Sequence, residues 1–225
     1  MRFGVEFHMA KERNPGAIEY FHRRIDDFDD IYRTDRRGLM AWLDKTLRAS
    51  VRQRFDLAFN LLGDMTGKSV LDIGCGSGRY MFESVRRGAL DVVGLDAAPG
   101  ALDAARRMAS ELGMEKKVDF IESDFLDFQA QRKFDVVFAV GYFDYILTPL
   151  PHLKKMLETY NHFLFASFPK FWHPMTPVRK VRLALNSCPV RFYSRQRVRA
   201  VAKSAGASSV DLKNVARDYI LIVGL

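Results

Sequence analysis

VLDIGCGSGRY, residues 70–80, runs from a short apolar stretch into an acid and then into three glycines spaced G-x-G-x-G. Glycine serves where backbone must turn in a left-handed conformation or lie close against a ligand. A strand entering such a turn and leaving it as a helix opens a doubly wound α/β domain, whose ligands sit at the carboxyl ends of the strands. The spacing separates two ligand classes. A dinucleotide loop, G-x-G-x-x-G, would put its third glycine at position 79, which is Arg79; here the third glycine is Gly78. Asp72 also stands two places before the first glycine. The dinucleotide reading is thereby demoted.

Outward from this stretch, strands and helices alternate. After SVLDIG come a helix in GRYMFESVRRG, a strand in DVVGLD, and a helix in PGALDAARRMASELG that opens with Pro-Gly and closes at Gly113. VDFIESD, KFDVVFAVGYFDY and HFLFASF supply three more strands, with a helix in LPHLKKMLETY before the last of them. Apolar strands alternating with helices predict a parallel sheet covered on both faces. A helix over Ser194–Ser204 and a close strand pair, SVDLKNV and DYILIVG, finish the chain and make the sheet mixed. The expected fold is a doubly wound, Rossmann-like, mostly parallel seven-stranded α/β sheet, covering residues 67–225 with a small insertion at about 169–192.

Residues 1–66 are read as an N-terminal helical cap. Ile18, Phe21, Ile25, Phe28 and Tyr32 recur at helical spacing, and the acids among them in RRIDDFDDIYR form a wet face, not a metal site. A second helix runs from about Leu39 to Leu62 and is broken by GDMTGKS.

The glycine stretch resembles the first motif of the class I S-adenosylmethionine-dependent methyltransferases, and three further motifs follow in that family's order. The resemblance implies S-adenosylmethionine as cofactor, with Asp72, Gly74, Cys75, Gly76 and Gly78 in its loop. Asp96, ending VVGLD, would take the ribose hydroxyls, with Ala97 beside it; a carboxylate can accept two hydrogen bonds from a vicinal diol. In ESDFLDF, Asp124 would receive the adenine amino group and Phe125 would lie near the ring, while Val140, Gly141 and Tyr142 would line the methionine end. A weaker resemblance, to the magnesium-protoporphyrin O-methyltransferases and their small-molecule relatives, lies in the Y-F-x(6)-F-x(2)-I-Y pattern of Tyr20–Tyr32 and in Tyr145. Where that group has a His-Tyr pair, this chain has Asp144-Tyr145.

The charge is unevenly placed. The chain carries a net +8, of which residues 169–225 hold +9, and residues 169–210 contain nine basic residues and no acid. Such a bias points to an anionic partner or to a solvated basic face. The resemblance leads to a small, anionic or aromatic acceptor, with O-methylation favoured. Arg179 and Arg182, one helical turn apart, would pair with its carboxylate or phosphate, and Trp172 and His173, with Phe168 and Phe171, would face it. Asp144 is the candidate base, or else a helix-capping acid, and Tyr32 would close the site from the N-terminal helix. No Asn/Asp-Pro-Pro-Tyr motif follows the fourth strand, which argues against amide and adenine acceptors. Two alternatives stay open: an RNA methyltransferase using the basic tail on phosphates, and a non-catalytic protein that binds S-adenosylmethionine and presents a basic face. Two cysteines, no apolar run of membrane length and no signal-like start lead to the expectation of a cytoplasmic protein.

Overall fold

The computed structural model describes residues 16, 19, 39–173, 176 and 190–224. In chain order the elements are α1 (Leu39–Leu62), β1 (Ser69–Ile73), α2 (Arg79–Arg86), β2 (Asp91–Asp96), α3 (Pro99–Glu111) and β3 (Val118–Glu122). Then come β4 (Phe134–Ala139), α4 (Pro149–Thr159), β5 (Tyr160–Pro169), α5 (Arg195–Ala205), β6 (Asp211–Val215) and β7 (Asp218–Val223). The strands form one seven-stranded sheet in the order β3-β2-β1-β4-β5-β7-β6. Its order reverses between β1 and β4, which puts the crevice of the sheet at the end of β1.

The sheet is mixed. Pairing is parallel from β3 through β5, but β5–β7 and β7–β6 are antiparallel, so the expectation of a mostly parallel sheet holds only for the first five strands. The physical cause is the short turn between Val215 and Asp218, which can only fold β7 back beside β6.

Both faces of the sheet are buried, and the side chains divide by the two-residue period of a strand. Leu71, Ile73, Val137, Ala139, Leu164, Ala166, Leu221 and Val223 meet Leu153 and Met156 of α4 and Val198, Val201 and Ala202 of α5. Their neighbours Val70, Val136, Phe138, Phe163, Phe165, Ile220 and Ile222 meet Ala58 and Phe59 of α1, Tyr80, Met81 and Phe82 of α2 and Leu102 of α3. Every residue of β1 is buried, as a central strand requires.

The last turns of α1 are thus part of the sheet's own covering layer. Phe59 stacks on Tyr80 with centroids 5.7 Å apart and meets Phe138 at the same separation. Arg87 closes the helix end: its guanidinium donates to the carbonyls of Phe59 (2.9 Å) and Gly63 (3.2 Å) and lies over the Phe59 ring. The Phe59 carbonyl also accepts the Gly63 N–H at 3.0 Å, and Arg87 adds a donor at a helix end where intrahelical donors run out. Farther up α1, Arg54 reaches Asp218 at the start of β7, with 3.1 Å between Nη1 and Oδ2 in a contact that is almost wholly buried. The amphipathic stretch from Ile18 to Tyr32, apart from one position, and residues 174–175 and 177–189 of the insertion lie outside the described residues. Among the described residues no helix is long and apolar enough to cross a membrane.

Candidate active site

The glycine loop joins the end of β1 to α2, and all three of its glycines have positive φ: 68° at Gly74, 55° at Gly76 and 82° at Gly78. Two of them also answer to packing. A Cβ on Gly74 would stand 2.9 Å from Tyr142 Cδ2, and one on Gly78 would stand 2.8 Å from the Phe82 ring. The loop is stitched to the neighbouring strand, since the N–H groups of Gly74 and Cys75 both donate to the Leu95 carbonyl, at 2.7 and 3.1 Å. In β2, Gly94 leaves room for Met81 and Cys75; a Cβ there would meet Met81 Sδ and, at 3.0 Å, Cys75 Sγ. Cys75 is buried, and burial together with Asp96 and Asp72 pushes its thiol well above the usual range, which removes it as a nucleophile.

Asp96 ends β2 with its carboxylate held in place. Oδ2 accepts the Gly76 N–H at 3.0 Å and Oδ1 accepts the Ala98 N–H at 2.9 Å. Burial raises its pKa, while these backbone donors act in the opposite sense. Each oxygen keeps a second lone pair, so the geometry fits a diol. Asp72 is different. It is 3% exposed, no described residue donates a hydrogen bond to it, and burial with the Asp96 charge raises its pKa to about 8.

Asp124 follows β3, and its Oδ1 accepts the Leu126 N–H at 2.8 Å in a local turn. Phe125 is 1% exposed and belongs to the core, edge-on to Tyr142 and under the Lys155 ammonium. It backs the site; it does not form an open stacking surface. Lys155 also donates to the carbonyls of Leu126 and Phe128, which pins the loop after β3 to α4. Gly141, with φ 79°, donates its N–H to Ser167 Oγ at 2.7 Å and so ties the turn after β4 to β5. Tyr142 turns inward, its hydroxyl 2.8 Å from His152 Nδ1. His152 is 2% exposed, and burial lowers its pKa to about 4, so the ring is neutral. Burial, then Asp124 and Asp96, push the Tyr142 phenol well above its ordinary range. His152, Lys155 and Ser167 escaped the reading of the sequence, because nothing in LPHLKKM or ASF marks a residue that will meet a loop before it.

The acceptor candidates divide. Asp144 is buried, and its carbonyl accepts the Arg191 N–H at 2.8 Å. It does not cap the following helix, whose N-cap is Thr148. Phe168, expected to face an acceptor, is fully buried and stacks on Phe143 at 4.2 Å; strand alternation sends it into the core beside Ala166. Phe171 and Trp172 are exposed, 52% and 84%, and meet edge to face. His173 is partly exposed; burial, Lys170 and Arg217 lower its pKa against the opposing charge of Asp218. Tyr32, Arg179 and Arg182 lie outside the described residues.

The fold is that of the class I methyltransferases. Residues 70–164 match the family model of a methyltransferase domain. Among solved structures, magnesium protoporphyrin IX methyltransferase from Synechocystis PCC 6803 with bound SAH superposes with a TM-score of 0.71 at 19% identity, over 91% of this chain and 95% of that one. An O-methyltransferase family protein from Burkholderia thailandensis gives a TM-score of 0.63 at 17% identity, over 93% of this chain and 71% of that one. The pyocyanin biosynthetic protein PhzM gives 0.61 at 20%, over 83% of this chain and 59% of that one. At these identities the likeness is one of fold.

Proposed function

We propose that this protein transfers a methyl group from S-adenosylmethionine to a small acceptor that is anionic or aromatic, with an oxygen atom favoured as the site of methylation. One observation carries the reading. The three left-handed glycines, the fixed carboxylate of Asp96 and the carboxyl of Asp72, which has no donor among the described residues, stand together at the reversal point of the sheet. In this reading the backbone of Gly74, Cys75, Gly76 and Gly78 lies against the cofactor, with Asp72 beside it. Asp96 takes the ribose hydroxyls with Ala97 next to it, and Asp124 takes the adenine amino group. Val140 and Gly141 line the methionine end, with Tyr142 and Phe125 packed behind. Bound there, S-adenosylmethionine supplies an activated methyl on a sulfonium leaving group. The chain then needs to align the acceptor and exclude water; a carboxylate acceptor requires no general base.

A small acceptor is favoured because the neighbours in fold include a porphyrin methyltransferase and an O-methyltransferase family protein. Anionic character is favoured by the basic residues of 169–210 and by Lys170, His173 and Arg217, which gather where β5 ends and β7 begins. Trp172 beside them offers an exposed flat ring. Asp144, Tyr32, Arg179 and Arg182 remain candidates for the acceptor's surroundings.

The test is calorimetric titration of S-adenosylmethionine and S-adenosylhomocysteine into the wild type and Asp96→Ala. Losing two hydrogen bonds to a charged oxygen pair, at about 1.5–3 kcal/mol each, predicts affinity reduced by roughly two to four orders of magnitude. Tight wild-type binding that survives the substitution would remove Asp96 from the site. Turnover against aromatic carboxylates, with RNA as the comparison substrate over a range of salt, separates the small-molecule reading from the nucleic-acid one.

A further inference from the structure

Asp72 and Asp96 end adjacent strands, with Asp72 paired to Gly94 and Ile73 to Leu95 in the register of β1 and β2. Two carboxyls thus face one site in a buried setting. The hydrogen bonds are shared unequally: Asp96 has two backbone N–H donors, and Asp72 has none among the described residues. Such donors favour a carboxylate, so although burial raises its pKa Asp96 holds a charge more readily than Asp72. Among the described residues none gives the Asp72 charge a partner. From the loop, Cys75 is a neutral thiol; across β4, Phe138 is apolar, and the Tyr80 ring of α2 packs on it at 5.0 Å. Asp124 adds a second acid near Tyr142, while the cationic Arg106 of α3 acts on Cys75. A buried carboxyl beside a like charge keeps its proton.

We propose that Asp72 carries a proton in the cofactor-free protein and releases it to solvent when the cationic cofactor binds, so that this carboxyl reads the ligand's positive charge. The inference rests on the loop being the S-adenosylmethionine site. S-adenosylmethionine has a sulfonium and an ammonium against one carboxylate, and a site holding two ionised acids is complementary to that excess. The balance is simple: the carboxylic acid of Asp72 becomes a carboxylate and one proton goes to buffer. The raised pKa of about 8 sets the window, since the group is protonated at neutral pH until a cation arrives. A ligand with adenosine and sulfur but no charge would leave the proton in place.

The experiment is titration of the full chain with S-adenosylmethionine at pH 6.5, in two buffers of different ionisation enthalpy. At that pH the ligand's own α-amino group, with a pKa near 8, is already protonated and takes up almost nothing. The dependence of the observed heat on the buffer gives the protons released. About one proton per ligand is expected, with affinity rising about tenfold per pH unit from pH 6 to pH 7 and levelling near pH 8. 5′-Methylthioadenosine, which carries neither charge, should bind with no release. Asp72→Asn should bind S-adenosylmethionine with no release and a flat pH profile. Wild type that binds S-adenosylmethionine without releasing a proton overturns the proposal while leaving the cofactor assignment intact. Equal release with 5′-methylthioadenosine, or unchanged release in Asp72→Asn, also overturns it. Binding of none of the ligands overturns the cofactor reading and the proposal together. The wild-type proton count decides the matter even if Asp72→Asn does not fold.

Discussion

The contact between Arg54 and Asp218 joins helix α1 to the last strand, and its burial makes its energetics predictable. The guanidinium side chain is 9% exposed, the carboxylate 0%, and 3.1 Å separates their nearest atoms. A buried ion pair need not contribute net stability, because desolvation offsets attraction, but removing one member strands the other. Arg54→Met should therefore cost about 3–5 kcal/mol. For a chain of this size a loss of about 1 kcal/mol lowers Tm by roughly 2–4 °C, so a fall of about 6–20 °C is expected. Replacing both partners, Arg54→Met with Asp218→Leu, removes the stranded charge and should return stability to within about 1–2 kcal/mol of wild type. Urea unfolding of the two single variants and the double variant closes the cycle. A single-variant loss below about 1 kcal/mol, or losses that simply add in the double variant, would refute the argument, since coupling is its central claim.

Two further substitutions probe the glycine loop and the packing behind it. Gly74→Ala places a Cβ at φ 68° and 2.9 Å from Tyr142 Cδ2, so stability should fall by about 1–3 kcal/mol and S-adenosylhomocysteine should bind more weakly; unchanged thermal unfolding and affinity would count against the geometry. His152 has a folded pKa of about 4, below its unfolded value near 6.5, so the unfolded state binds more protons between these limits and stability falls as pH drops. This group alone should contribute a loss of about 2 kcal/mol between about pH 7.5 and pH 5, and His152→Leu should show a correspondingly shallower decline in urea midpoints over that range. Equal pH dependence in the two proteins would show that His152 titrates alike in the folded and unfolded states.

The glycine-loop half of the sheet is legible in the sequence because its pieces are local. Gly74, Gly76 and Gly78 sit within five residues, and each of Asp96 and Asp124 lies at or just past the end of its own apolar strand, so short-range spacing is enough to place them. The same locality misled where a side chain's direction depends on strand alternation. Phe168 lies in an aromatic stretch with Phe171 and Trp172, yet it is two residues from Ala166 along β5 and so turns to the same buried face, while Phe171 lies beyond the strand and is exposed. The Tyr142–His152 pair and the Lys155 contacts were invisible for another reason, since each joins a helix to a loop that precedes it and has no periodic signal of its own.

The end of the sheet beside the acceptor candidates is harder still to read, because it is assembled from distant segments. Pro169 pairs with Asp218, Lys170 donates its backbone N–H to the Arg217 carbonyl, and Arg54 arrives from α1, so residues 54, 170 and 218 meet only after the sheet is complete. An excess of positive charge in the last quarter of the chain is visible from composition, but composition cannot say which charges are already paired with a buried acid. Asp218 is one of only two acids after residue 168, and it is fully buried against Arg54, a base from the other end of the chain. The local charge at this edge is therefore set by a long-range contact. If the acceptor is anionic, its recognition depends on α1 being seated, which ties the Arg54 experiment to function: Arg54→Met should weaken an aromatic carboxylate acceptor more than it weakens S-adenosylhomocysteine.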